Sequence, residues 1–107
     1  PLMGASWEGF VVEQILAVLD DRWQYSYYRT STQVELDLVL QTPTNETWVL
    51  EIKRGSTPKL GRGFYEACLD VGATRRFLLC NTQTHLLLAR DLEQIGLLDL
   101  IQLIQKL

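Results

Sequence analysis

The sequence predicts a mixed α/β domain, with elements in the order helix, three strands, helix, strand, strand, helix. Three stretches carry that prediction. From Val34 to Leu40, the apolar residues Val34, Leu36, Leu38 and Leu40 alternate with Glu35, Asp37 and Val39, the period of a strand with one face in a core. From Thr47 to Arg54, Trp48, Leu50 and Ile52 share one face while Val49, Glu51 and Lys53 share the other. From Ser6 to Leu19, Trp7, Val11, Ile15 and Val18 recur at helical spacing, widened by Phe10, Val12, Leu16 and Leu19.

Within the first helix, Glu8 lies on the side of Val12, Ile15 and Leu19, whereas Glu13 lies on the polar side. Two readings of Glu8 stay open: a rim position favoured by the positive helix end, or a functional role. Asp20-Asp21 ends the helix, and the aromatic-rich, alternating run Trp23 to Thr30 reads as the first strand. Its Tyr27 and Tyr28 fit sheet packing better than stacking on a base. Ser31-Thr32 turns the chain into the next strand. Thr42 to Glu46 is rich in turn formers, so the second and third strands pair antiparallel. That pairing lets Asp37, Glu51 and Lys53 converge. A carboxylate set in an otherwise apolar strand is costly to bury unless it is paired or binds a metal.

After Lys53, Gly55-Ser56-Thr57-Pro58 breaks the sheet. Gly61-Arg62-Gly63 then leads into a helix through Phe64, Cys68 and Val71 that ends near Gly72. These glycines lack the Lys-Ser/Thr of a phosphate loop, although Arg62 stands near a helix start, where backbone phosphates are contacted. Phe77 to Asn81 reads as a strand buried on both faces, and Leu86 to Ala89 as a further strand opened by His85. With no His, Cys or acid close by in sequence, His85 reads as a hydrogen-bonded turn residue. The tail, Asp91 to Leu107, reads as helical and broken at Gly96. Its stripe Leu98, Ile101, Ile104 and Leu107 is broadened by Leu97, Leu100 and Leu103. A segment so apolar is either clamped in the core or covers a partner, a second copy included.

A chain of 107 residues forms one small domain with a single core, and 47% hydrophobic with 21% charged residues is ordinary for a globular chain. No apolar run reaches the roughly 18 residues that span a bilayer, and no secretory signal is visible. Cys68 and Cys80 read as reduced core residues. These features predict a cytoplasmic protein. The opening Pro1-Leu2-Met3-Gly4, almost directly on a helix, reads as a piece of something longer. A net charge of −3 argues against strong non-specific binding to nucleic acid. The bases are nevertheless concentrated: residues 53–90 carry 7 bases and 2 acids, against 2 and 8 in residues 1–52. Lys53, Arg54, Lys59 and Arg62 therefore follow the Glu51 strand closely, as a phosphate-facing patch or as a mixed solvated surface.

An apolar strand with Asp37, a short gap, then Glu51-Ile52-Lys53 resembles the PD-(D/E)xK nuclease superfamily. Its restriction-endonuclease-like fold has an αβββαβ core, a mixed central sheet flanked by helices, here with a C-terminal helical extension. Leu36 stands where the motif name has Pro. Within the superfamily, Gly4-x-x-Trp7-Glu8-x-Phe10-Val11, Tyr28-Arg29, Val34 to Val39 and Glu51-Ile52-Lys53-Arg54-Gly55 are similar to one subgroup. It is a domain of unknown function at the C-terminal end of bacterial and archaeal AAA+-type ATPases. The resemblance implies that Asp37, Glu51 and the Ile52 carbonyl hold Mg²⁺ or Mn²⁺, that Lys53 serves the attacking water or the phosphate, and that Glu8 reaches a metal-bound water. It implies nucleic acid as substrate, with Arg54, Lys59 and Arg62 along it, and an ATPase domain upstream, since no Walker motif occurs here. A non-catalytic docking domain on the same scaffold is the alternative, favoured by the acidic balance and the apolar tail.

Overall fold

The computed structural model describes residues 7–54 and 60–107. Its elements are α1 (Trp7–Val18), β1 (Gln24–Arg29), β2 (Glu35–Gln41), β3 (Thr47–Ile52), α2 (Arg62–Val71), β4 (Arg75–Leu79), β5 (Leu86–Ala89), β6 (Leu92–Ile95) and α3 (Leu97–Gln105). The strands form one mixed six-stranded sheet in the order β1-β2-β3-β4-β6-β5, flanked by the helices. β1, β2 and β3 are an antiparallel meander. The chain then crosses through α2 to lay β4 parallel to β3, and β6 continues parallel to β4. β5 closes the far edge, antiparallel to β6.

The two faces of the sheet bury different helices. Trp23, Leu38, Leu40, Trp48, Leu50, Phe77 and Ile95 pack with Val11 and Ile15 of α1 and with Leu100 and Ile104 of α3. Val39, Val49 and Leu92 pack instead with Phe64, Ala67 and Cys68 of α2. Both cysteines are buried and unbridged, and burial pushes the Cys68 thiol up to about 11. α2 ends as expected at Gly72, whose φ of 70° is the left-handed geometry that costs glycine least. The β2–β3 turn is held by the Thr42 hydroxyl, which accepts the N–H groups of Thr44 and Glu46 at 3.2 and 3.0 Å.

The structure departs from the expected elements in two places. The alternation of β2 is interrupted: Ser26 pairs with Val39 and Tyr28 with Leu36, so Asp37 and Leu38 together face Tyr27. This is a β-bulge, and it switches Leu36 to the α2 side while Leu38 and Leu40 stay on the α1 side. Second, Leu92–Ile95 is a strand rather than the start of a helical tail. Leu, Glu and Gln are good helix formers in isolation. Here β4 and β5 supply backbone partners on both sides, and Leu92 and Ile95 reach the core.

The helix that follows Gly96 is clamped to the core through Leu100 and Ile104, with Leu97, Leu103 and Leu107 packed beside them. The face is turned from the expected one, because Leu98 is 61% exposed. Gly96 itself is pinned by a close approach: a Cβ there would stand 2.6 Å from the Thr82 carbonyl oxygen. Gly96→Ala is expected to destabilise the domain by about 1–3 kcal/mol through that clash, read as a lower urea midpoint. No helix among the described residues is long and apolar enough to cross a membrane.

Candidate functional site

The β2–β3 ladder stops at the pair Leu38–Leu50, one residue short of Asp37 and Glu51. Beyond it the bulge redirects Asp37, whose Oδ2 accepts the Ile52 N–H at 2.7 Å in place of a backbone bond. β3 continues past this point because β4 supports it from the other side. Glu51 pairs with Leu78, and the Lys53 N–H donates to the Leu79 carbonyl at 3.0 Å. Lys53 Nζ stands 3.7 Å from Glu51 Oε2, with side-chain exposures of 43% and 13%. The other Glu51 oxygen, Oε1, is buried without a hydrogen-bond partner.

Electrostatics follow from that burial. The Glu51 carboxyl is pushed up from 4.5 to about 7, first by loss of water and then by the Asp37 charge, with Lys53 opposing both. Asp37 is raised as well, again chiefly by burial. The Ile52 N–H and Lys53 pull it down, while Glu8 and Glu35 add repulsion. Glu8, half-buried on α1, thus lies within electrostatic reach of Asp37. Glu35 is exposed and bonded to Arg29 at 3.0 Å, which makes it a rim residue.

Of the other site candidates read from the sequence, Arg54 and Arg62 fall outside this cluster. Arg54 is exposed just past Lys53, and Lys59 lies outside the described residues. Arg62 is 91% exposed, with its Nε 3.1 Å from Glu66 one turn along α2. Among the described residues no group of three His, Cys, Asp or Glu side chains is placed to hold a metal ion. Asp37 and Glu51 form a pair, and one or two carboxylates are what Mg²⁺ commonly takes from a protein. The unpartnered Glu51 oxygen fits an oxygen-seeking cation of that kind.

A second polar cluster was not legible in the sequence. His85 Nε2 stands 2.7 Å from Glu93 Oε2, and the Arg75 Nη2 and Nε donate to Glu93 Oε1 at 2.8 and 3.0 Å. The Arg75 guanidinium also lies over the Trp48 and Phe77 rings, 5.2 and 5.0 Å from their centroids. Burial alone would raise Glu93, but the bonds from His85 and Arg75 prevail and hold it below its ordinary value. His85 is hydrogen-bonded, as expected, but through acids that the fold brings to it: Glu93 from β6 and, at 3.9 Å from Nδ1, Asp99 from α3. The tyrosines of β1 also divide. Tyr28 packs as expected, donating to Asp70 Oδ2 at 2.7 Å, whereas Tyr27 is 63% exposed.

Two mycobacterial proteins are similar to this chain, each 43% identical over 75 residues: Uncharacterized protein Mb2031c of Mycobacterium bovis and Uncharacterized protein Rv2008c of Mycobacterium tuberculosis. The matched stretch is 70% of this chain and 17% of either relative, so the chain spans a small part of their length. No solved structure matches it significantly. Residues 3–99 match the family described as Domain of unknown function (DUF4143). That stretch takes in α1, the whole sheet, α2 and the start of α3, and the chain belongs to this family.

Proposed function

We propose that this domain is a metal-dependent nuclease-like module that hydrolyses nucleic-acid phosphodiesters at Asp37, Glu51 and Lys53. In this reading the fold is restriction-endonuclease-like, and the domain is the C-terminal part of a cytoplasmic chain with an AAA+-type ATPase upstream. The observation that carries the proposal is the buried, unpartnered Glu51 Oε1 beside a second carboxylate. A structural ion pair would have satisfied that oxygen. Lys53, at 3.7 Å from Oε2 and 43% exposed, leaves it bare.

Asp37 and Glu51 would hold Mg²⁺ or Mn²⁺, with the Ile52 carbonyl as a further oxygen. The ion, when bound, polarises the scissile phosphate and lowers the pKa of a coordinated water. The chain's own groups do the rest. The bond from the Ile52 N–H orients Asp37. Lys53 orients the attacking water and offsets charge growing on the phosphate oxygens. Glu8, within reach of Asp37, accepts a hydrogen bond from water at that carboxylate. Arg54, and Lys59 and Arg62 further along, are the cations available to flanking phosphates.

Titrating Mn²⁺ calorimetrically at pH 6 and pH 8 tests this reading. Binding must displace the Glu51 proton, so affinity is expected to rise as pH passes about 7, and Glu51→Gln and Asp37→Asn should abolish it. Weak binding that ignores both pH and substitution would end the proposal. One observation favours a docking module instead: at the β5 edge Leu86, Leu87 and Leu88 are 51%, 74% and 45% exposed. A domain that ignores Mn²⁺ and self-associates or captures its neighbouring domain through β5 would support that second reading.

A further inference from the structure

β3, β4 and β6 run parallel, and their carboxyl ends share one border of the sheet. Open sheets of this kind bind ligands beyond the carboxyl ends of their parallel strands. Three polar groups at that border are buried and lack a partner among the described residues. Two are oxygens, Glu51 Oε1 near the end of β3 and Thr82 Oγ1 just past the end of β4. The third is the side-chain amide of Gln94 on β6, a residue only 8% exposed whose amide makes no hydrogen bond.

Register puts Gln94 on the same face as Glu51. Glu51 pairs with Leu78 and Leu78 with Gln94, so the three side chains form one cross-strand row. Their neighbours fix the side. Leu50, Ile52 and Ile95 pack toward α1 and α3, whereas Val49 and Leu92, two residues before Glu51 and Gln94, pack against α2. With strands about 4.8 Å apart, the backbone of Gln94 stands roughly 10 Å from that of Glu51. Gly96 continues β6 as extended backbone, φ −88° and ψ 166°, so a Cβ there would point the same way as Gln94. It would meet the Thr82 carbonyl oxygen at 2.6 Å and Gln83 Oε1 at 3.6 Å, which lays the Thr82 segment over the end of β6 on this face.

A carboxamide and a hydroxyl offer donors and acceptors without charge, so they suit a neutral hydrogen-bonding edge better than a phosphate. Leaving them buried and unpaired is costly, and a ligand that bonds them removes the cost. Leu78 and Leu86 flank Gln94 in its row, so the amide is set between apolar side chains. A nucleobase has that character, apolar on its faces and polar along its edges. Adenine is the base whose N6 and N7 a glutamine amide matches with both of its groups.

We propose that Gln94 and Thr82 form a base subsite beside Glu51, taking the adenine of a nucleotide whose phosphate lies at Glu51 and Lys53. The place of the phosphate rests on the nuclease reading, but recognition of the base does not. Proton–nitrogen NMR of the 107-residue chain reads the amide directly, with its signal assigned by its loss in Gln94→Leu. AMP in Mg²⁺ is expected to shift that signal and to bind about 5- to 150-fold more tightly than ribose 5-phosphate, which lacks the base. Gln94→Leu and Thr82→Val should each weaken AMP at least fivefold and leave ribose 5-phosphate unchanged. In urea, Gln94→Leu should match or exceed the wild type, because it removes a buried amide that bonds nothing.

A Gln94 signal indifferent to AMP overturns the inference, as does AMP that binds no more tightly than ribose 5-phosphate. A lower urea midpoint in Gln94→Leu overturns it too, by giving the amide a structural role. The two readings fail separately. Adenosine in EDTA needs no metal, so a Gln94 signal that it shifts, in a domain indifferent to Mn²⁺, leaves the subsite and removes the nuclease. Mn²⁺ binding that depends on Glu51, beside a Gln94 signal that no nucleotide moves, does the reverse.

Discussion

Lys53→Ala is expected to lower Mg²⁺-dependent strand cleavage by about 10²–10³-fold, the usual loss when one charge-stabilising donor is removed from a phosphoryl or acyl site. Nucleic-acid binding should hardly change, because in the proposed role the Lys53 ammonium would act on charge that develops only as the bond breaks. Asp37→Ala should be at least as damaging, for a different reason. It removes a carboxylate that, in this reading, would face the metal, and also the acceptor of the Ile52 N–H at 2.7 Å, so the end of β3 loses a tie to β2 beyond the last ladder pair. Lys53→Arg is no rescue, since a planar guanidinium presents its charge differently from an ammonium. Single-turnover cleavage by purified wild type and both variants decides the matter. Equal rates from all three would trace the activity to a contaminant.

Glu51→Gln carries the second large effect, and it is a gain. The folded-state pKa of Glu51 is raised, from 4.5 to about 7, so the native protein binds its proton more tightly than the unfolded chain does. The stability this confers is present at low pH and is lost as pH rises from 4.5 through about 7. At pH 8 the wild type therefore holds a buried charge that glutamine lacks. The variant should be more stable by on the order of 2–3 kcal/mol in urea unfolding without metal, and little different near pH 4. Saturating Mn²⁺ should reverse the order, because only the wild type gains from the ion. A variant less stable than wild type at pH 8 in chelator would show that Lys53 already satisfies the carboxylate.

Much of this arrangement was legible in the residues. The alternation of β3, the Val11 and Ile15 face of α1 and the αL glycine at the end of α2 are local patterns that survive folding. What the sequence does not show locally depends on partners distant along the chain. The bulge at Asp37–Leu38 is a mismatch with β1 and leaves no mark in β2 read alone. β6 is written in helix-forming residues and becomes a strand only between β4 and β5. Missing β6 also hid the partnership of His85 with Glu93. The exposure of Tyr27 turned on how far the helices reach across the sheet, and no periodicity states that.

The placement of β6 inside β5 has a consequence for where such a domain can be cut. β5 comes first along the chain but joins the sheet only through β6, across the turn at Arg90 and Asp91, so it has no place in the sheet until β6 is there. A fragment ending at Ala89 would strip β4 of its outer neighbour and bare the backbone of Phe77, Leu78 and Leu79, a greasy edge open to any passing chain. A piece that keeps β4 paired and also keeps Leu100 and Ile104 in the core runs on through Gln105.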